Sequence, residues 1–291
     1  MGKNVNKTKL TSSRPGFAWL GLLPFFAFGF AFEIIPIFRL VRSAFSDSQG
    51  GYTLENFSRV MTPIVTQSFG NSFKLSALTA LIGMILGTMV AYAIIHTRNK
   101  SVRESVTALA DVTTNFGGAP LAFAFIITLG STGIITLVLK EFFGISLYPN
   151  FRIYSISGLV IAYLYFQIPL MLLIMIPSLL GLRKEWQEAA SNLGASNLDY
   201  WRRIAFPILA PSLIGGFILL FANSFGAYAT AWTLTGPEIG LVPIQIAALI
   251  RGEVQLDPEA ADALASLSLV VMALSVIGYQ LAIRRARRFQ R

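Results

Sequence analysis

Cysteine is absent from the 291 residues, histidine occurs once, and charged residues make up only 13% of the chain. Without thiols, no disulfide, zinc or iron–sulfur site can be built from cysteine. The single histidine, His96, closes an apolar run beside Thr97 and Arg98, where it reads as an interface residue rather than a ligand. No cluster of carboxylates and histidines suggests a metal site, and no nucleophile–base pair suggests catalysis. No Gly-x-x-x-x-Gly-Lys-Ser/Thr loop occurs, so the chain has no phosphate cradle with which to hydrolyse ATP itself. There are 14 acidic residues against 23 Lys and Arg, a net charge of +9. The basic residues lie at the ends of apolar runs, which argues against nucleic acid, and the Arg-rich C-terminal tail reads as an anchor to anionic lipid.

Apolar sequence is abundant. Hydrophobic residues make up 54% of the chain and the mean hydropathy is +0.64. A soluble domain of this length cannot bury so much apolar surface. A helical membrane span needs roughly 20 mostly apolar residues. Six stretches qualify, at about 17–40, 70–95, 114–139, 157–180, 209–234 and 263–283, and they read as one all-α domain over 1–291. The first apolar run, Phe17 to Phe38, is too long for a signal-peptide core and no small-residue cleavage site follows it, which predicts a retained first helix. No internal repeat or low-complexity tract interrupts the series.

The distribution of Lys and Arg predicts orientation. Sixteen of the 23 fall on the side shared by the two termini, the second loop (Arg98, Lys100, Arg103) and the fourth loop (Arg183, Lys184, Arg202, Arg203). Most acidic residues fall on the other side, among them Glu55, Glu238, Glu253 and Asp257. Both termini and the fourth loop are therefore expected in the cytoplasm.

The fourth loop, 181–211, reads as a helix–turn–helix. Glu185 to Leu193 is rich in helix formers, and Gly194 suits a left-handed cap. Ser196 with Asp199 three residues on is an N-cap signature for a second short helix, after which Pro207 and Pro211 are expected to break the chain before the fifth span. Ala189 and Ala190 leave a small-sided surface for another protein's backbone, with Leu193, Trp201 and Ile204 as apolar anchors.

Polar residues inside the spans are the candidates for a solute path, because they are costly there. Asn115, with Gly117, Gly118 and Pro120, opens the third span as a broken or closely packed helix start. Gln167 falls midway along the fourth span, and Asn223 and Ser224 lie in the fifth, with Tyr228 one helical turn beyond Ser224. Interhelical hydrogen bonding is the competing reading for all five. Glu33, the only acidic residue deep in an apolar run, reads as structural.

Glu188-Ala189-Ala190, three residues, Gly194, nine residues, then Ile204-Ala205-Phe206-Pro207 resembles the EAA signature of the permease subunits of ATP-binding-cassette (ABC) importers. That pattern is E-A-A, three residues, G, nine residues, I-x-L-P, and only Phe206 departs from it. Weaker likenesses extend along the chain, at Pro36 to Phe45, Tyr52 to Phe57, Asn71-Ser72, and Phe225 to Tyr228 followed by Thr235-Gly236. The polyamine-type group carries an acidic residue where Ala227 stands here. The resemblance implies a type I importer bundle of six transmembrane helices in a bacterial cytoplasmic (inner) membrane. It implies that the loop couples to a separate cytoplasmic ATPase through Glu185, Glu188, Ala189, Ala190, Gly194, Ile204 and Pro207. The implied assembly holds a second, non-identical permease, two ATPase copies and an extracytoplasmic substrate-binding protein. ATP and Mg belong to the ATPase, and this chain binds no cofactor. The implied cargo is a small solute, with a polyamine-like organic cation as first reading and sugars, ferric complexes or oxyanions as alternatives. A secondary transporter or channel would instead show inverted repeats or ion-coupling carboxylates near the bilayer centre, and neither occurs.

Overall fold

The computed structural model describes residues 21–47, 50–253 and 256–288, which form twelve helices. They are α1 Leu23–Ala44, with a π-helical turn at Phe30–Ile34, α2 Glu55–Val60, α3 Pro63–His96, α4 Lys100–Asn115, α5 Gly118–Leu129 and α6 Ile134–Phe143. Then follow α7 Ile156–Leu180, α8 Lys184–Asn192, α9 Asn197–Phe225, α10 Ala229–Thr235, α11 Val242–Arg251 and α12 Pro258–Arg288. Among the described residues there is no sheet, only one isolated bridge between Ser46 and Tyr52. Six segments are long and apolar enough to cross a membrane: Leu23–Ala44, Pro63–His96, Gly118–Phe143, Ile156–Leu180, Asn197–Phe225 and Pro258–Gly278.

Local chemistry sets the helix starts. Thr62 caps α3 by accepting from the Val65 amide at 3.3 Å, with Pro63 in the first turn, where its missing N–H costs nothing. Ser155 caps α7 by accepting from the Gly158 amide, and Asn99 caps α4 by accepting from the Ser101 amide at 3.0 Å.

The centre of the bundle is α7 packed between α3 and α9. Small residues let these backbones approach. A Cβ on Gly87 would lie 2.7 Å from the Ile168 carbonyl oxygen and 2.5 Å from the Met171 Cβ, and one on Gly216 would meet the Met171 sulfur at 2.4 Å. In hydrocarbon, where no hydrophobic force drives helices together, such close van der Waals packing is what holds them. Ala80, Ala91, Met171, Met175, Leu209 and Leu220 fill the contact. By contrast α1 stands apart: its second half, Ile35–Ala44, packs on α12, whereas Leu23–Ile34, including Glu33, is exposed along almost its whole length.

The structure departs from the sequence expectation in four places. The second loop is mostly helix: α4 packs along α7 despite its polar composition, because one face (Val106, Ala110) is apolar enough to join the core. The third span is not one helix over 114–139. It breaks at Gly130–Gly133, where the Gly133 amide donates to the Gly130 carbonyl at 2.9 Å and a Cβ on either glycine would strike backbone oxygen. The fifth span is not 209–234. Pro207 and Pro211 do not break the chain; α9 runs from Asn197 straight through them to Phe225. A π-helical turn at Trp201–Ala205 shifts the hydrogen-bond register, so that the Phe206 amide donates to the Trp201 carbonyl and Pro207 enters in the first turn of the new register. The second span begins earlier than expected, at Pro63. The expected start of the first span at 17–20, the N-terminal lysines and Arg291 lie outside the described residues.

Candidate functional site

The helix–turn–helix forms, with α8 as its first arm and the start of α9 as its second. Gly194, at φ +79°, takes the left-handed conformation that ends α8. The Ala195 amide reaches back to the Ala190 carbonyl at 3.0 Å and the Gly194 amide to Ser191 at 2.9 Å, which satisfies carbonyls that α8 leaves unpaired. The Ser196 hydroxyl accepts from the Asp199 amide, and the Asp199 carboxylate accepts from the Ser196 amide, a capping box that starts α9. Arg203 pairs with Asp199 one turn later.

The two arms share a small core of Ala190, Tyr200 and Ala205, flanked by Trp186, Trp201 and Ile204. Glu185, Glu188 and Ala189 are exposed on α8, and Leu193 projects at the tip with 88% of its surface free. Ala190 corrects the expectation of a paired small-residue surface: it is buried beneath Tyr200, because this turn needs a small residue inside, so only Ala189 is offered outward. Leu193 is therefore left free of the shared core among the described residues. Ile204 lies half-buried on the shared core and Pro207 is exposed on α9. Trp201 packs edge-on against Tyr92 of α3, with centroids 5.4 Å apart, and this contact seats the loop on the bundle.

The five polar span residues divide into two groups. Asn115, Asn223 and Tyr228 come together, lining one pocket of about 260 Å³ with Thr114, Gly117 and Thr230. The pocket lies where two helices break, between α4 and α5 and between α9 and α10. The breaks are tied to each other: the Gly118 amide donates to Thr230 Oγ1 at 2.9 Å and the Thr230 hydroxyl donates to the Gly118 carbonyl at 3.2 Å. Gly118 has φ +74°, open only to glycine at little cost. Irregular backbone at membrane depth is tolerated where it lines a cavity. Among the described residues the buried Tyr228 hydroxyl has no hydrogen-bond partner, and the Arg251 guanidinium lies over the Tyr228 and Trp232 rings at 5.4 and 5.6 Å.

Gln167 and Ser224 point elsewhere. Gln167 is wholly buried, and its Nε2 donates to the Leu220 carbonyl at 3.0 Å and to Thr79 Oγ1 at 3.4 Å. Thr79 Oγ1 lies 3.0 Å from Ser224 Oγ. These groups join α3, α7 and α9 inside the bundle, so the pathway expectation for Gln167 and Ser224 gives way to interhelical hydrogen bonding. Tyr228 does not continue the face of Ser224, because α9 ends at Phe225. Sequence reasoning missed Thr79, Thr230 and Arg251. It also missed α4, for which Asn99 ahead of a run of helix formers was an available start signal.

Twelve helices among the described residues, packed around a three-helix core and with six segments of membrane-crossing length, define a multi-pass membrane protein. No family model matches the chain. It is 25% identical over 266 residues to the spermidine/putrescine transport system permease protein PotC of Escherichia coli, covering 88% of this chain and 90% of that one. It is 25% identical over 203 residues to a probable sulfate transport system permease protein, cysT, of Helicosporidium, covering 70% and 71%. The crystal structure of a bacterial ABC transporter involved in import of the acidic polysaccharide alginate matches the fold with a TM-score of 0.72 at 17% identity, over 94% of this chain and 96% of that one. The chain is thus similar along most of its length to permease subunits of transport systems, and it shares its fold with the membrane subunit of an ABC importer.

Proposed function

We propose that this chain forms half of a solute pathway and that α8 with the start of α9 is the element through which a separate ATPase drives it. The observation that carries this reading is continuity: the second arm of the loop is the beginning of the fifth membrane segment, with no flexible joint between Asn197 and Phe225. A push on the loop is therefore a push on a helix that lines the polar pocket through Asn223. A rigid arm on a bundle with two packings converts closure of an ATPase dimer into rocking of the spans. ATP binding drives that change only in so far as the ATPase grips the two packings differently. In this arrangement the loop and the Lys- and Arg-rich side of the protein face the cytoplasm.

A second permease fits the first half of α1, Leu23–Ile34, whose apolar side chains and Glu33 are left exposed by the described residues. The alginate importer that shares this fold has been crystallised in complex with a periplasmic protein, which supports an extracytoplasmic binding protein as the source of solute here. The pocket lining is uncharged and carries Thr114, Asn115, Asn223, Tyr228 and Thr230, which suits a small polar solute. Kinship to the spermidine/putrescine permease over most of both chains favours an organic cation, with an oxyanion as the second reading from the sulfate permease.

Gly194→Asp in the reconstituted complex tests the coupling claim. A side chain at φ +79° costs roughly 1–2 kcal/mol locally, far from the bundle core. The expected outcome is an intact bundle with ATP hydrolysis no longer matched by uptake. Wild-type uptake by a stably folded Gly194→Asp complex sinks the coupling role. Uptake of labelled putrescine against sulfate by the wild-type complex decides the solute class.

A further inference from the structure

Two concavities meet at Trp201. The first, of about 580 Å³, lies between the end of α3 and the start of α8 and is lined by His96, Arg98, Arg183, Lys184 and Gln187. The second is an apolar groove of about 430 Å³ between α3 and α9, lined by Met84, Met89, Phe206, Leu209 and Leu213. Tyr92, Leu179 and Trp201 belong to both.

Among the described residues no acidic side chain lines either concavity. Glu185 and Glu188 are exposed on α8 but do not line the cationic pocket. Arg98, Arg183 and Lys184 make no ion pair among the described residues. The Arg183 guanidinium is held 5.7 Å from the Trp186 ring centroid. Three cations without ion pairs among the described residues therefore line the concavity where the apolar stretches of α3 and α7 end, and an apolar groove leads from it between α3 and α9. A free phosphate uses only the first concavity, and an apolar helix fills the second while leaving the cations unmatched. One molecule with an anionic head and an acyl tail satisfies both.

We propose that this composite site holds an anionic phospholipid of the phosphatidylglycerol class, its phosphate among Arg98, Arg183 and Lys184 and one acyl chain along the groove. Charge complementarity selects the headgroup. In a bilayer the tail is already apolar, so the cations supply the selectivity. A lipid seated there packs against Trp201 where the loop joins α9 and braces that junction. The binding claim is independent of the coupling role proposed above.

The test is retention of lipid by the full chain, purified from membranes and from nanodiscs of mixed phosphatidylglycerol and phosphatidylcholine, read by native mass spectrometry. Wild type is expected to retain phosphatidylglycerol at least tenfold over phosphatidylcholine. The triple variant Arg98→Gln, Arg183→Gln, Lys184→Gln should lose that preference while keeping its thermal midpoint, and Leu213→Trp, which fills the groove, should lower retention with the cations intact. Equal retention of both lipids by wild type, or unchanged preference in the triple variant, overturns the proposal. So does displacement by glycerol phosphate alone, which would assign the pocket to a free phosphate. A cross-link from Met89→Cys to a second permease that persists in excess phosphatidylglycerol also overturns it, by assigning the groove to protein.

Discussion

Thr230 holds both the amide and the carbonyl of Gly118, at 2.9 and 3.2 Å, across 112 residues of sequence. One hydroxyl thereby fixes the start of α5 against α10, and with it the pocket between the two helix breaks.

Thr230→Val keeps the shape of the side chain and removes both bonds, leaving the Gly118 amide unpaired. Loss of a partner to a part-buried donor costs about 1–3 kcal/mol. A lower thermal midpoint in detergent is expected, with uptake reduced. Thr230→Ser should restore most of both, and failure of serine to rescue would show that the methyl group, not the hydroxyl, matters.

Gly87 and Gly216 both face Met171 but should differ in tolerance. At Gly87 an added Cβ meets a backbone oxygen and a Cβ, neither of which swings away, so Gly87→Ala should cost about 1–3 kcal/mol by overpacking. At Gly216 it meets the sulfur and terminal methyl of Met171, which are flexible. Gly216→Ala should be milder and rescued by Met171→Ala. Equal thermal shifts for the two alanines would contradict this packing.

Gln167 should behave as a structural residue. Gln167→Met keeps the volume but removes the Nε2 bonds to the Leu220 carbonyl and Thr79, so it should cost about 1–3 kcal/mol of stability. The apparent KM for solute should not move. Gln167→Glu places a carboxyl at 0% exposure and should reduce the amount of folded protein instead. A changed solute preference in Gln167→Met would return this residue to the pathway.

Asn115 and Asn223 should respond in the opposite sense. Each lines the polar pocket and neither belongs to the buried network, so Asn115→Leu and Asn223→Leu should lower uptake several-fold while shifting the thermal midpoint little. Transport unchanged in both variants would remove the pocket from the path.

Much of the site was legible before any coordinates. Gly194 and Ser196 announced the turn because capping is local: each satisfies backbone groups within a few residues of itself. The continuity of α9 was not legible, because proline signals a break by default and only the π-helical turn ahead of Pro207 removes the conflict. Likewise Asn223 and Ser224 are adjacent in sequence yet face a cavity and a buried threonine respectively, a difference that neither residue type carries.

The sequence alone determined that this is a membrane protein of six apolar segments, that it has no ATP-hydrolysing loop, and that a capped helix–turn–helix precedes the fifth segment. Those features follow from composition, from the length a bilayer demands and from short-range hydrogen bonding. Only the tertiary structure decided that α4 is a helix packed on α7, that Ala190 is inside rather than outside, and which polar residues meet in the pocket. The pocket depends on groups that lie more than a hundred residues apart, such as Gly118 and Thr230, and Ala190 and α4 on partners outside their own helices, all brought together by close packing rather than by any local preference.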